Sequence, residues 1–291
     1  MVQQHVKWLD KDEYPFNSNY FKVNGNQLHY IDEGNGDVLL FVHGTPSWSF
    51  EYRNIIKEAR TSNRCIAIDH IGFGLSDKPV AYDYSTINHS RTLERFILEK
   101  DLYNITLVVH DFGGPIALNV AIKHPERFNK LVIINSWLWS SKNDPDFQIL
   151  SKVLKNPLLP FLYRYLNFEV RVLLPSVFGT KKLKKKIKQQ YLKPFKNKTE
   201  RNGTVAFAHS LLNDQDWFEE LWNLKDAITG KPTLLIWGMK DPLVKPRLLE
   251  KFESGFTNNQ NLKLENCGHF PHEEAPELVT KEIFKFLVNN R

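Results

Sequence analysis

The chain has 291 residues, 42% hydrophobic, 13% aromatic and 25% charged, which excludes a disordered or collagen-like polymer and suits one large domain or a core with an insertion. No apolar run approaches the ~18 residues of a membrane span, and MVQQHVKWLDKDEY lacks the pattern of a signal peptide. The net charge of +6 is local: residues 181–201 hold ten Lys/Arg and one acid, leaving the rest mildly acidic. That segment is expected to be a solvated helix face, since it lacks the stacking aromatics and recognition motif of a nucleic-acid site. Cys65 and Cys267 are too few for a disulfide framework and form no CxxC pair, so a reduced, cytoplasmic setting is expected.

In chain order, FKVNG and QLHYIDEG flank Asn24-Gly25-Asn26 and predict a hairpin. Continuous apolar runs follow at VLLFVHG (38–44), RCIAIDH (64–70), ITLVVHD (105–111) and KLVIINS (130–136), then PTLLIWG (232–238) and NLKLENCG (261–268). Such runs predict strands buried on both faces. Amphipathic stretches between them, such as NHSRTLERFILEK and GPIALNVAIKHP, predict crossover helices. The alternation predicts a doubly wound, mostly parallel α/β sheet, with functional loops at the C-terminal strand ends. From about residue 140 to 213 the strand signal stops. Only helical patches remain, punctuated by Pro145, Pro157, Pro160, Pro175 and Pro194. This is too long for a loop, so an inserted helical cap at 137–213 is expected between core segments 1–136 and 214–291. Phe147, Phe161, Leu162, Phe178, Phe207 and Leu211 are candidate pocket walls.

The chemistry centres on VVHDFGGPIAL. The strand is expected to end at Val109 and the helix to begin after Gly113-Gly114-Pro115, leaving Asp111 on a sharp strand-to-helix turn, the geometry of a nucleophile elbow with aspartate in place of serine. The helix N-terminus favours an ionised carboxylate there. A carboxylate nucleophile forms an ester that an activated water must release, and His269 in CGHFPHEEAPE is the candidate base. Asp241, in the loop after PTLLIWGMK, is placed to hold His269 in one tautomer. The order Asp111, Asp241, His269 is that of an α/β-hydrolase. His272 is expected to turn to solvent, and Asp69 to tie the IGFGLSDKP turn structurally, since no histidine-bearing loop need lie near it. The backbone amides of Thr45, in HGTP after the first buried strand, and of Phe112 are the expected oxyanion donors. A cis bond before Pro46 is left open.

With these motifs in place, the chain resembles the haloalkane dehalogenase and epoxide hydrolase group of α/β-hydrolases, dehalogenases most of all. YPFNSNYF, LHYIDEGNG, VHGTPSWSFEYRNII, IDHIGFGLSDKP, ITLVVHDFGGPIAL, WGMKDPLV and GHFPHEEAPE carry the likeness across nearly the whole chain. The resemblance implies that Asp111 displaces halide from a saturated carbon to form an alkyl ester. His269, braced by Asp241, then activates water against that ester, with no metal or organic cofactor and a small molecule as the only required partner. No nucleic-acid or membrane partner is expected, and the chain is read as a monomer or homodimer.

Two positions depart from the group's pattern. Such dehalogenases usually carry a tryptophan after the nucleophile, whose indole N–H holds the halide; here Phe112 has no donor. Many carry asparagine where this chain has Thr45. Trp137 and Trp139 are the candidate substitutes. An epoxide hydrolase would need cap tyrosines to protonate the ring oxygen, and Tyr163, Tyr165 and Tyr191 are available. Tyr163 and Tyr165, two apart, cannot share a helix face. β-Lactone cleavage by the same aspartate is a third option, whereas the arginine expected of fluoroacetate-type enzymes is replaced by Phe112. Non-catalytic ligand binding on this fold would normally accompany loss of a triad member, and all three are present.

Overall fold

A computed structural model describes residues 6–290. Eight strands form one sheet in the order β1-β2-β4-β3-β5-β6-β7-β8. They are β1 (Asn19–Val23), β2 (Asn26–Glu33), β3 (Val38–Val42), β4 (Arg64–Ile68), β5 (Ile105–Asp111), β6 (Phe128–Ser136), β7 (Thr233–Gly238) and β8 (Asn259–Leu264). The antiparallel β1–β2 hairpin turns on Asn24 and Gly25, both at positive φ, the two-residue turn whose twist matches the flanking strands. β2 and β4 are also antiparallel, and all later pairs are parallel.

Every residue of β3, β5 and β7 is buried, because helices cover both faces of the parallel region. β8, at the edge, is mostly half-buried or exposed. β3 pairs with β4 on one side and β5 on the other. The loops leaving β3 and β5 therefore diverge at a topological switch point, where an open α/β sheet forms a crevice beyond its strand ends. Strand limits differ from expectation by a few residues. β5 continues through Asp111, and the following helix, Gly113–Lys123, takes in the glycines and Pro115 as its first turn. Proline is tolerated there because its missing N–H has no intrahelical partner.

Between β6 and β7 the described residues form helices and turns. The principal helices are Pro145–Leu154, Leu159–Leu166, Lys185–Leu192, Asn202–Asn213 and Gln215–Asn223. Leu154, Leu159, Tyr163, Val205 and Ala208 make a small core of their own. Lys185–Leu192 buries Ile187, Gln190 and Tyr191 and turns its lysines outward, Lys186 pairing with Asp10 at 2.8 Å. The basic segment is thus a solvated face over an apolar stripe.

Candidate active site

Asp111 closes β5 with φ 51°, a left-handed conformation uncommon for residues other than glycine. The parallel register with β6 shifts at His110/Asp111, and Ser136 Oγ donates to the Asp111 carbonyl at 2.6 Å. So sharp a reversal needs close backbone approach. A Cβ on Gly113 would strike the Val42 carbonyl, and one on Gly44 would strike the Asp111 carboxyl itself. The glycines flanking the elbow leave room for the carboxylate between the loops after β3 and β5.

The Thr45 N–H donates to Asp111 Oδ1 at 2.9 Å, and the peptide before Pro46 is cis. Among the described residues the Phe112 amide makes no corresponding bond to Asp111, so only one of the two expected donors is engaged. Asp111 Oδ2 lies 3.3 Å from His269 Nε2, close enough for an ion pair though not aligned as a hydrogen bond. His269 Nδ1 donates to Asp241 Oδ2 at 2.7 Å. Asp241 is fixed in turn by the amides of Leu243 and Val244 at 2.7 and 3.1 Å and by Asn135 Nδ2 at 2.7 Å. Three loops, after β5, β7 and β8, therefore bring Asp111, Asp241 and His269 together.

Burial alone would depress the basicity of His269, but the charge of Asp241 and the contact with Asp111 outweigh it and push its pKa up to about 10. The resting histidine is an imidazolium between two carboxylates. Burial would likewise raise the Asp241 pKa. The charge and hydrogen bond of His269, with the Leu243 amide and Asn135, overcome it and hold Asp241 below the ordinary carboxylate range.

A cavity of about 470 Å³ opens over this cluster. Thr45, Asp111, Phe112 and His269 form its floor, and Phe147, Leu150, Leu154, Tyr163, Leu173 and Leu211 are among its apolar walls. Such a cavity can hold a small apolar molecule with a few polar contacts at one end.

Residues 37–276 match the family profile described as the alpha/beta hydrolase fold. The chain belongs to the α/β-hydrolase family. Its relatives within the family include haloalkane dehalogenases. Haloalkane dehalogenase 2 of Mycobacterium tuberculosis is 32% identical over 95% of this chain and 96% of its own. The cis-3-alkyl-4-alkyloxetan-2-one decarboxylase of Shewanella oneidensis is 35% identical over 94% and 89%. Epoxide hydrolase 1 of Caenorhabditis elegans is 27% identical over 94% and 70%. Among solved structures, the haloalkane dehalogenase DatA of Agrobacterium tumefaciens superposes with a TM-score of 0.85, covering 97% of this chain and 100% of its own at 23% identity, a likeness of fold.

Within this α/β-hydrolase the secondary candidates separate cleanly. Trp137 lines the cavity and packs edge-on to Phe112 with centroids 4.8 Å apart. Trp139 does not line it, because its ring is held between Trp222 and Phe252. Tyr163 is buried on the cavity wall, whereas Tyr165 is 53% exposed and stacks on Phe161. The helical spacing forces that split, as expected. Tyr191 is buried and donates to Glu273, outside the cavity lining. Of the candidate walls, Phe147 and Leu211 face the cavity. Phe207 fills the core against Phe112 and Phe73, and Phe178 stacks on Phe270.

His272 requires correction: it is fully buried, stacked on Tyr52, with Nε2 3.7 Å from Glu51 Oε2. Glu51, in the short helical turn Ser49–Tyr52, also faces His110 at 3.3 Å. Burial would raise the Glu51 pKa, but the two histidines hold it well below the ordinary range. Glu51, His110 and His272 are the one group of converging metal-type ligands among the described residues. Glu51 Oε2 sits between the two imidazoles beneath the site, and His110 Nε2 donates to the His269 carbonyl at 2.8 Å. Asp69 does tie the IGFG turn, accepting from the Ser49 and Leu75 amides, both at 2.8 Å. It also pairs with a strand histidine, His29 on β2, at 2.8 Å.

Sequence reasoning missed two residues at the site. Asn135, at φ 32° near the end of β6, braces Asp241 and accepts from the Gly238 amide at 2.9 Å. An asparagine just before Ser136 could have suggested such a strand-end bend. Glu169 reaches the cavity from a π-helical turn, Glu169–Leu173, and accepts from Thr45 Oγ1 at 3.0 Å. No local pattern announces that contact between residues 124 positions apart.

Proposed function

We propose that this α/β-hydrolase hydrolyses haloalkanes at a saturated carbon through an aspartyl ester. The observation that carries the proposal is the Asp111 carboxylate on its elbow, Oδ1 bonded to the Thr45 amide and Oδ2 facing His269 Nε2. Asp111 Oδ2 attacks the carbon in line and the carbon–halogen bond breaks, halide taking the electron pair. Esterification removes the Asp111 charge, so His269 loses one of the two carboxylates that raise its pKa and can give its proton to solvent. Neutral His269, still held by Asp241, then draws a proton from water as the oxygen attacks the ester carbonyl. The oxyanion develops on Oδ1, in reach of the Thr45 amide; the Phe112 amide is the proposed second donor.

The helices of residues 137–213 act as a cap on a core of 1–136 and 214–291. With Phe112 in place of an indole donor, Trp137 is the proposed halide contact. Losing one such donor without replacement would cost on the order of 3 kcal/mol of transition-state stabilisation. The ligands are small molecules, and two free, buried cysteines support a cytoplasmic setting.

Opening of a strained oxygen ring by the same Asp111 is a second reading, favoured by the missing indole donor and by Tyr163 on the cavity wall. The test is the intact mass of His269→Ala after exposure, separately, to bromohexane and styrene oxide. Attack without release should leave a hexyl adduct on Asp111. A styrene oxide adduct alone would replace the first reading with the second, and no adduct from either would overturn both.

A further inference from the structure

Glu169 is a buried carboxyl that the triad chemistry leaves unused. The chain leaves helix Leu159–Leu166 through Asn167 at φ 51° and enters the wide turn Glu169–Leu173, which brings residue 169 to the cavity beside the nucleophile. Glu169 Oε1 shares a 3.0 Å hydrogen bond with Thr45 Oγ1, and Oε2 has no hydrogen-bond partner among the described residues. The amide of that same Thr45 holds Asp111 Oδ1. One residue therefore touches both carboxyl groups, the nucleophile through its backbone and Glu169 through its side chain.

Two carboxylates so placed in an apolar pocket repel, and one is most stable as the neutral acid. Burial first, and the Asp111 charge in addition, push the Glu169 carboxyl well above the ordinary range, despite the Thr45 bond and the nearby Thr204 hydroxyl. Tyr163 is the other titratable group facing it. In the bond as it stands Thr45 Oγ1 donates to Glu169 Oε1; with the acid proton on Oε1 the direction reverses, and the threonine hydroxyl hydrogen is freed to point into the cavity. As a carboxylate Glu169 would instead occupy that hydrogen.

We propose that Glu169, acting through the Thr45 hydroxyl, is the proton source for an oxygen leaving group, so that the site opens epoxides as well as expelling halide. The proposal rests on the aspartyl-ester reading. Asp111 Oδ2 bonds to the ring carbon, the carbon–oxygen bond breaks, and its electron pair goes to the ring oxygen. That oxygen takes the Thr45 hydroxyl proton, and Thr45 Oγ1 takes the Glu169 proton. In the second step His269, having given its proton to solvent once Asp111 is esterified, takes one proton from water as the hydroxide adds to the ester carbonyl. Collapse releases the diol as His269 protonates the departing oxygen. The proton then left on the Asp111 carboxyl returns to Glu169, and His269 regains its own from solvent. A departing halide, the conjugate base of a strong acid, accepts a hydrogen bond but no proton, so the two substrate classes should depend on Glu169 differently.

The experiment compares kcat/KM for styrene oxide and bromohexane in the wild type, Glu169→Gln and Glu169→Asp. Glutamine keeps a hydrogen-bond donor but supplies no proton. It should cost styrene oxide about 100-fold, the usual scale of general-acid catalysis, and bromohexane no more than about tenfold. Aspartate should restore part of the epoxide rate. Wild-type epoxide turnover should fall as pH rises through the elevated Glu169 pKa, and the glutamine variant should lack that limb. Equal loss on both substrates, or parallel loss at every pH, would make Glu169 a structural support and overturn the proposal. Bromide release by a wild type that leaves styrene oxide intact would overturn it while sparing the dehalogenase reading. If His269→Ala forms no adduct with either compound, the underlying reading fails instead.

Discussion

In the proposed mechanism the decisive residue is His269, whose protonation is tied to the state of Asp111. With Asp241 on Nδ1 and Asp111 beside Nε2, its pKa is held at about 10 against an ordinary 6.5. An imidazolium cannot accept a proton, so under the proposed mechanism the same histidine would be unable to activate water until Asp111 is esterified. Asp111→Asn should therefore lower the His269 pKa toward its ordinary value, read from the pH dependence of its ring resonances by NMR. A value still near 10 would mean that Asp241 alone sets it. Asp111, Asp241 and His269 were legible because each lies in a local strand-end motif whose chain order fits one fold. Asn135 and Glu169 were not, since each acts by a contact between residues more than 100 positions apart. The misreading of His272 has a similar cause: adjacent Glu273 and Glu274 suggest solvent, while Glu51 lies far away in sequence.

At the scale of elements, the elbow is set by backbone approach more than by side-chain contacts. Gly113 begins its helix directly against the end of β3, where a Cβ would meet the Val42 carbonyl. Gly113→Ala should destabilise the protein by about 1–3 kcal/mol, the scale of core overpacking, and lower turnover by displacing Asp111. Urea denaturation checks the first effect; unchanged stability with full activity would show that the loops yield without cost. The apolar runs made the parallel strands readable, because burial on both faces leaves an unbroken Val/Ile/Leu signature. The helices between β6 and β7 were readable as helices, but not their orientation. Trp137 and Trp139 are two residues apart, yet one lines the cavity and the other packs against Phe252. That difference is fixed by tertiary packing.

Across the whole molecule, the proposed catalytic groups come from the C-terminal ends of the strands and most of the apolar walls from the helices between β6 and β7. Reaction type and substrate choice are therefore separable. Leu211 lines the cavity on helix Asn202–Asn213, away from the reacting carboxylate. Leu211→Trp should reduce kcat/KM for bromohexane at least about tenfold relative to bromoethane, by shortening the apolar cavity. Parallel losses on both would indicate that the substitution disturbs the helices between β6 and β7 as a whole. The central claim concerns the reaction itself: a covalent bond to Asp111 precedes water. One turnover with enzyme in excess of bromohexane, run in heavy-oxygen water, tests it most directly. The account predicts that the heavy oxygen appears in the Asp111 carboxyl and that the first hexanol carries ordinary oxygen taken from the enzyme. Heavy oxygen in the first hexanol, with Asp111 unlabelled, would mean that water attacks the carbon directly and would contradict the aspartyl-ester mechanism.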